Sequence, residues 1–242
     1  MRVPRIFLPM DLHAESEFAL PDANAHYLTR VLRMEVGRPL VVFNGRGGEY
    51  AAEIVQANKQ SCRICLREFT AENRQSPLNT HLAIGISKGE RFDWVLQKAV
   101  ELGVTQITPL ITERTEVRMN AERQEKKIAH WQQILVSSAE QCQRNILPEL
   151  HAACELSDFV ANNSADVKLV LHHRSTENLR GQATPKDVAL LIGPEGGLSG
   201  EEIAVAQSNG FAALTLGPRV LRTETAPIAA LSLVQFLWGD LS

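Results

Sequence analysis

Several classes of protein are disfavoured by what this chain lacks. No apolar run approaches the ~20 residues needed to cross a bilayer, and Met1–Pro9 has no apolar secretory segment. A cytoplasmic protein with no membrane partner is therefore expected. Cysteine is scarce, four in 242 residues, which suits a reducing compartment. Cys62 and Cys65 form a C-x-x-C, yet they sit in the strand-like Ser61–Leu66 and no second such pair follows. Cys142 and Cys154 have no His or Cys at ligand spacing. All four read as ordinary thiols, the last two as buried small hydrophobes, and no metal is expected.

Positive charge is not in excess either. With 25 Lys and Arg against 28 Asp and Glu the formal net charge is −3, which argues against a strongly basic nucleic-acid binder. The charge is uneven, however. Residues 1–74 hold ten of the cations and nine of the anions, leaving 15 against 19 in the remainder. The early cations are mostly arginine (Arg2, Arg5, Arg30, Arg33, Arg38 and Arg46), the residue suited to bidentate phosphate contacts.

Two phosphate-binding patterns are missing as well. Gly193-Pro194-Glu195-Gly196-Gly197 has neither the lysine of G-x-x-x-x-G-K-[ST] nor the spacing of G-x-G-x-x-G. Glu195 inside the loop would repel a pyrophosphate, so a ligand carrying positive charge fits better.

What is present is a 44% hydrophobic chain able to build a sizeable core, with a change of rhythm near residue 72. Before it, Arg2–Leu8, Pro39–Phe43, Glu49–Ala57 and Ser61–Phe69 read as short strands, with a glycine-rich turn at Asn44–Gly48. A helical insert is expected at Ala23–Arg33, with an apolar stripe of His26, Leu28, Val31 and Leu32. Several strands in about seventy residues suggest a small barrel. The polar stretch Glu72–Pro77 is the expected boundary, dividing the chain into domains 1–72 and 73–242. After it strands and helices alternate: strands at Leu82–Ile86, Gln106–Leu110, Val167–Leu171, Val188–Ile192 and Phe211–Leu216, helices at Arg91–Leu102, Ala121–Gln143, Gly200–Ser208 and Ala226–Trp238. That alternation implies an α/β domain with a parallel sheet covered on both faces.

Two strands in this second part run into Gly-Pro loops followed by helices. Ligands of open α/β sheets bind where such loops leave the strands. The first loop, at Gly193, leads into Ser199 and Glu202, a capping box for the next helix. The second, Gly217–Thr225, is long and places Arg219, Arg222 and Glu224 beside the same sheet edge. The helix after it is apolar nearly all round, as for a core or an oligomer interface.

These two segments, I-G-P-E-G-G and L-G-P-R-V-L-R-T-E-T-A, resemble the C-terminal signature of the knotted SPOUT methyltransferases. More narrowly, the chain resembles the bacterial family that methylates uridine N3 in small-subunit ribosomal RNA. The likeness continues in Arg30-Val31-Leu32-Arg33, Lys88-Gly89-Glu90-Arg91, Lys98–Val104 and Ser137–Arg144, so it spans essentially the whole chain. It implies an N-terminal PUA-like β-barrel that binds RNA, and a C-terminal α/β domain whose end forms a deep trefoil knot. It also implies a homodimer, S-adenosylmethionine as cofactor, and uridine 1498 of 16S RNA in the small ribosomal subunit as the target.

The resemblance assigns the donor cradle to Leu171 and His172, to Ile192, Gly193, Pro194, Glu195, Gly196 and Gly197, and to Leu216, Gly217, Val220, Leu221, Arg222, Thr225 and Ala226. Uracil N3 starts protonated, so transfer needs a base or a stabilised anion. Arg222 is expected to stabilise charge on O2 and O4, with Glu224 as base and Glu195 as the second candidate. Arg2, Arg5, Arg30, Arg33, Lys88 and Arg91 are the expected RNA contacts. His172 and His173 do not make a metal site, because consecutive strand residues face opposite ways. Three other functions stay open: 2′-O-ribose methylation on the same fold, a non-catalytic ribosome-assembly factor, and a small-molecule enzyme using the same loop.

Overall fold

A computed structural model describes residues 3–58, 61–72, 74–116, 121–172, 179 and 183–241. The chain falls into two compact units. The first runs to Gln75 and also takes in Ala139–Leu147; the second comprises Ser76–Ser138 and Pro148 onward.

The first unit contains β1 (Arg5–Phe7), β2 (Glu17–Ala19), β3 (Pro39–Phe43), β4 (Glu49–Ala57) and β5 (Cys62–Thr70), in the sheet order β1-β3-β4-β5-β2. β1 pairs parallel to β3 and the remaining pairs are antiparallel. Alternate residues turn inward, so Ile6, Leu40, Val42, Ala52, Ile54, Cys62, Ile64 and Leu66 share one core with Leu28 and Met34. Cys62 and Cys65 are buried free thiols of β5, whereas Cys142 and Cys154 are only half-buried.

The expected insert is a short helix α1 (Asp22–His26) running into a π-helical turn, Tyr27–Val31, closed by Leu32 N–H donating to Tyr27 C=O at 2.9 Å. That wider turn breaks the expected stripe. Leu28 is fully buried, but His26, Val31 and Leu32 are exposed; for Val31 and Leu32 the i→i+5 turn shifts the chain off the 3.6-residue period.

A polar knot of side chains ties Ala139–Leu147 to the strands of this unit. Glu49 accepts hydrogen bonds from Arg5 (2.8 Å), Arg74 (3.0 Å) and Asn145 (2.8 Å). Glu140 accepts from the Phe7 N–H at 2.9 Å, and Asn145 also donates to the Glu72 carbonyl at 2.6 Å. Burial alone would raise the Glu49 pKa, but its donors hold it down to about 2 from an ordinary 4.5. Burial pushes Glu140 upward, partly offset by Phe7 N–H and Arg5. A depressed carboxylate stabilises the folded state above its ordinary pKa, and that contribution is lost as pH falls through the folded value. Stability from Glu49 is therefore expected to drain between about pH 4.5 and about pH 2. Glu49→Gln should flatten stability over that window in denaturant titrations, and should lower it at neutral pH because buried Arg5 loses its counter-ion.

The second unit is built on a parallel sheet in the order β12-β10-β11-β6-β7-β8, with β9 also on β7. Its strands are β6 (Asn79–Gly85), β7 (Gln106–Ile111), β8 (Glu149–Leu150), β9 (Cys154–Glu155), β10 (Val167–Leu171), β11 (Asp187–Ile192) and β12 (Ala212–Leu214). The helices are α2 (Glu90–Glu101), α3 (Ala121–Cys142, of which Ala139–Cys142 belongs to the first unit), α4 (Leu156–Asn162), α5 (Gly200–Ser208) and α6 (Thr225–Trp238). Both faces of the sheet are covered. Ala83, Leu110, Val170, Ala189 and Leu191 form a core with Phe159 of α4 and Ala206 of α5, while α6 packs on β11 and α2 packs on α6. In α3, Trp131 stacks on Phe92 of α2 with centroids 4.5 Å apart. None of the described helices is long and apolar enough to cross a membrane.

Candidate functional site

The carboxyl ends of β6, β10, β11 and β12 meet at one edge of the second unit's sheet. β6 and β11 lie side by side with Ile84 opposite Ile192, so Gly85 faces the start of the first loop. A Cβ on Gly85 would stand 2.4 Å from the Pro194 ring and 2.5 Å from its nitrogen. Only glycine lets the loop cross this strand end so closely. Gly197 takes φ +67° and its N–H donates to Pro194 C=O at 2.8 Å, which closes the turn. Ser199 and Glu202 form the expected reciprocal capping box at the start of α5.

Glu202 reaches beyond that box. Its second carboxylate oxygen accepts from the Glu113 N–H at 2.8 Å, joining α5 to the segment after β7. Glu202→Ala removes both links and is expected to cost about 1–2 kcal/mol. In a chain of this size that is a melting point lower by several degrees, readable by calorimetry.

The second loop touches the first through Thr223, whose hydroxyl donates to the Gly193 carbonyl at 3.3 Å and lies 3.5 Å from the Ser87 hydroxyl. His172 N–H donates to Leu214 C=O at 3.0 Å, and the Thr215 hydroxyl donates to His172 C=O at 2.9 Å, which fixes the ends of β10 and β12 together. Between them opens a pocket of about 140 Å³. Of the residues assigned to the donor cradle, Leu171, His172, Leu216, Gly217, Val220, Leu221 and Ala226 line it, joined by Leu214, Thr215 and Arg219. It is smaller than the ~300–1,000 Å³ of typical ligand sites, room for only part of a ligand of ordinary size. Val220 at its wall is 91% exposed.

The remaining expected residues are not among those that line that pocket. Ile192 and Gly193 are buried beneath the first loop. Glu195 and Gly196 line a separate cleft of about 530 Å³ with Lys88, Arg91 and residues 113–116. There the Glu195 carboxylate accepts from the Lys88 N–H (2.9 Å) and from Arg91 (3.3 Å). Arg114 donates to Gly196 C=O at 2.7 Å. Arg222 is exposed, and its carbonyl accepts from the Thr225 and Ala226 N–H groups in the turn that starts α6. Glu224 is half-buried at the head of that helix.

Of the expected RNA contacts, Arg30 and Arg33 are exposed on the first unit, beside exposed Tyr27 and Val31. Arg33 adopts φ +53°. Arg5 is placed differently: it is buried, bonded to Glu49 and Asn145 and stacked over Phe43, so its guanidinium is committed inside the fold. Arg2 and His173 lie outside the described residues. Thr223 belongs to the expected second loop, but its bond to the first loop has no sequence signal; Ser87 and Arg114 carry no local pattern, and only the packing of distant strand ends brings them to the loops.

A larger cavity, about 570 Å³, opens at the amino-terminal end of the strands, around His81, His151 and Asp158. Burial, with His151 nearby, lowers the His81 pKa to about 4, so this imidazole is neutral at physiological pH. Among the described residues, no Gly-Pro loop reaches that end of the sheet.

Known proteins fit this geometry. A family described as the RNA methyltransferase domain matches residues 74–235, and one described as the RNA methyltransferase PUA domain matches residues 20–64. The ribosomal RNA small subunit methyltransferase E of Buchnera aphidicola subsp. Acyrthosiphon pisum is 35% identical over 99% of this chain and 95% of its own length. A methyltransferase structure from Legionella pneumophila, in complex with S-adenosylmethionine, is 44% identical with a TM-score of 0.96, each chain covered over 100%. The ribosomal RNA small subunit methyltransferase E of Neisseria gonorrhoeae, bound to S-adenosylmethionine, is 35% identical with a TM-score of 0.93, again over 100% of both chains.

Proposed function

This chain belongs to the RNA methyltransferase family that carries an N-terminal PUA domain, and from that premise we propose that it methylates N3 of uridine 1498 in the 16S RNA of the small ribosomal subunit. It is an S-adenosylmethionine-dependent RNA methyltransferase. The observation that carries the assignment of the site is the meeting of the two Gly-Pro loops at one sheet edge, with Thr223 bonded to Gly193 and a pocket between the ends of β10 and β12. We infer a division of labour in which residues 1–72 grip RNA and residues 73–242 carry out the transfer. In this scheme the C-terminal loops close a trefoil knot around the donor, in the cytoplasm.

S-adenosylmethionine supplies an electrophilic methyl group on a sulfonium. Backbone N–H and C=O groups of Leu171–His172, Ile192–Gly197 and Leu216–Ala226 would hold its adenine and ribose edges, with Leu171, Leu216 and Leu221 as apolar walls. The donor's positive charge agrees with the absence of a lysine from the first loop. Uracil N3 must then lose its proton and lie in line with the methyl carbon, and alignment supplies much of the acceleration. Arg222, exposed beside the pocket, would face the charge growing on O2 and O4. Glu224 is favoured as base over Glu195, because the Glu195 carboxylate is already engaged by Lys88 N–H and Arg91.

RNA would be gripped by Arg30 and Arg33 on one unit and by Lys88 and Arg91 on the other, contacts that give salt-sensitive affinity. A homodimer is favoured by Phe236, 61% exposed on the otherwise apolar α6. The test is to incubate the purified protein with labelled S-adenosylmethionine and small ribosomal subunits from a strain lacking the enzyme, then map the label. Label on N3 of a 16S uridine is expected. Label on a ribose 2′-oxygen would transfer the assignment to sugar methylation, and no label at all would leave a non-catalytic assembly factor.

A further inference from the structure

The cleft beside the first loop gathers three cations at the carboxyl ends of β6, β7 and β11. Lys88 and Arg91 come from the turn into α2, and Arg114 from the segment after β7. Arg114 is spent in part on Gly196 C=O, which sets the floor of the cleft. The other two are held by carboxylates: Lys88 pairs with Glu116, and Arg91 with Glu195 at 3.3 Å. Both pairs are open to water, with the Lys88 and Glu116 side chains 61% and 69% exposed. Solvent-exposed pairs hold their partners weakly, and an RNA phosphodiester offers the same cations more negative charge and more acceptor oxygens. The cleft also adjoins the loop that reaches the donor pocket through Thr223.

We propose that this cleft is a phosphodiester subsite for the RNA strand bearing the target uridine, and that Glu116 occupies Lys88 as an internal stand-in for phosphate until RNA displaces it. This rests on the RNA-methyltransferase function given above. The device fits a chain of net charge −3: cations masked by their own carboxylates attract stray polyanions less, and are released only where the rest of the surface fits.

The test uses the full chain with S-adenosylhomocysteine and unmethylated small ribosomal subunits, measuring Kd across a salt series. Displacing Glu116 costs the wild type part of its phosphate contact. Glu116→Gln is therefore expected to tighten binding roughly two- to five-fold at low salt, with a salt dependence of log Kd close to that of wild type because the number of phosphates contacted is unchanged. Lys88→Gln should weaken binding and flatten that slope by about one. In the Lys88→Gln background, adding Glu116→Gln should improve binding by less than about two-fold, since the pair is already broken. An equal gain in both backgrounds would mean that Glu116 acts only as a general negative charge, and would overturn the proposal. So would Glu116→Gln matching wild type in Kd while wild type binds and methylates normally. If wild type neither binds nor methylates the subunits, the assigned reaction itself falls, and the subsite with it.

Discussion

Arg222→Ala is expected to lower the rate of methyl transfer about 10²–10³-fold, the usual loss when one preorganised donor to a developing anion is removed. Deprotonating uracil N3 spreads negative charge over O2 and O4, and a fixed guanidinium beside them stabilises that charge without reorganising. Arg222 is exposed at the turn into α6, where its carbonyl is already fixed by the Thr225 and Ala226 N–H groups. The backbone is therefore pinned while the side chain is available. The loss should fall mainly on kcat, because the interaction strengthens in the transition state. Lysine at this position would restore charge without the planar fork, so only partial recovery is expected. Single-turnover methylation of small subunits gives the answer directly. A wild-type rate would remove Arg222 from the mechanism.

Gly193→Ala is expected to weaken donor binding at least about 10²-fold, as a misplacement of about 1 Å in a positioning element does. An added Cβ would lie 2.6 Å from the Gly197 carbonyl carbon and 2.7 Å from the Leu198 nitrogen. Those are backbone atoms of the same closed turn, so no side-chain rotation relieves the contact. The loop must open, and the Thr223 bond to Gly193 C=O and the Pro194 contact over Gly85 move with it. Such overpacking should also cost about 1–3 kcal/mol of stability. Gly200→Ala serves as the control, because nothing lies within 4 Å of an added Cβ there. Calorimetric titration with S-adenosylhomocysteine, alongside thermal melts of both variants, separates lost binding from lost folding. Unchanged affinity in Gly193→Ala would show that this turn does not shape the donor site.

Where local rules dominate, the elements were legible in the sequence. Short runs rich in β-formers give Pro39–Phe43, Glu49–Ala57 and Val167–Leu171 to the residue, and the Ser199–Glu202 box gives α5 its start. β2, β8, β9 and α4 were missed, because two or three residues, or seven, carry too little pattern to separate from loop. The last expected strand, Phe211–Leu216, shortens to Ala212–Leu214 because the following residues turn away to line the pocket. The apolar stripe of the N-terminal insert failed for a different reason. Its helical period is interrupted by a π turn.

The site shows the same division. Glycine, proline and the long charged loop marked both strand ends, since close backbone approach restricts residue type. What they touch was not legible. Glu195 gave no sign that Lys88 N–H and Arg91 would claim its carboxylate from more than a hundred residues away. Nor did Arg5 show that Asn145 and Glu49 would bury its guanidinium, or Gln235 that Ser76 would hold it fully buried within α6. Long-range polar pairs have no sequence period, so only the folded chain reveals them.

The measurement that bears most directly on the whole account is isothermal titration of the wild-type protein with S-adenosylmethionine. Saturable binding of one donor per chain, competed by S-adenosylhomocysteine, is the predicted result. Titration without saturable heat, in a protein that melts cooperatively, would contradict the placement of a sulfonium donor between the ends of β10, β11 and β12.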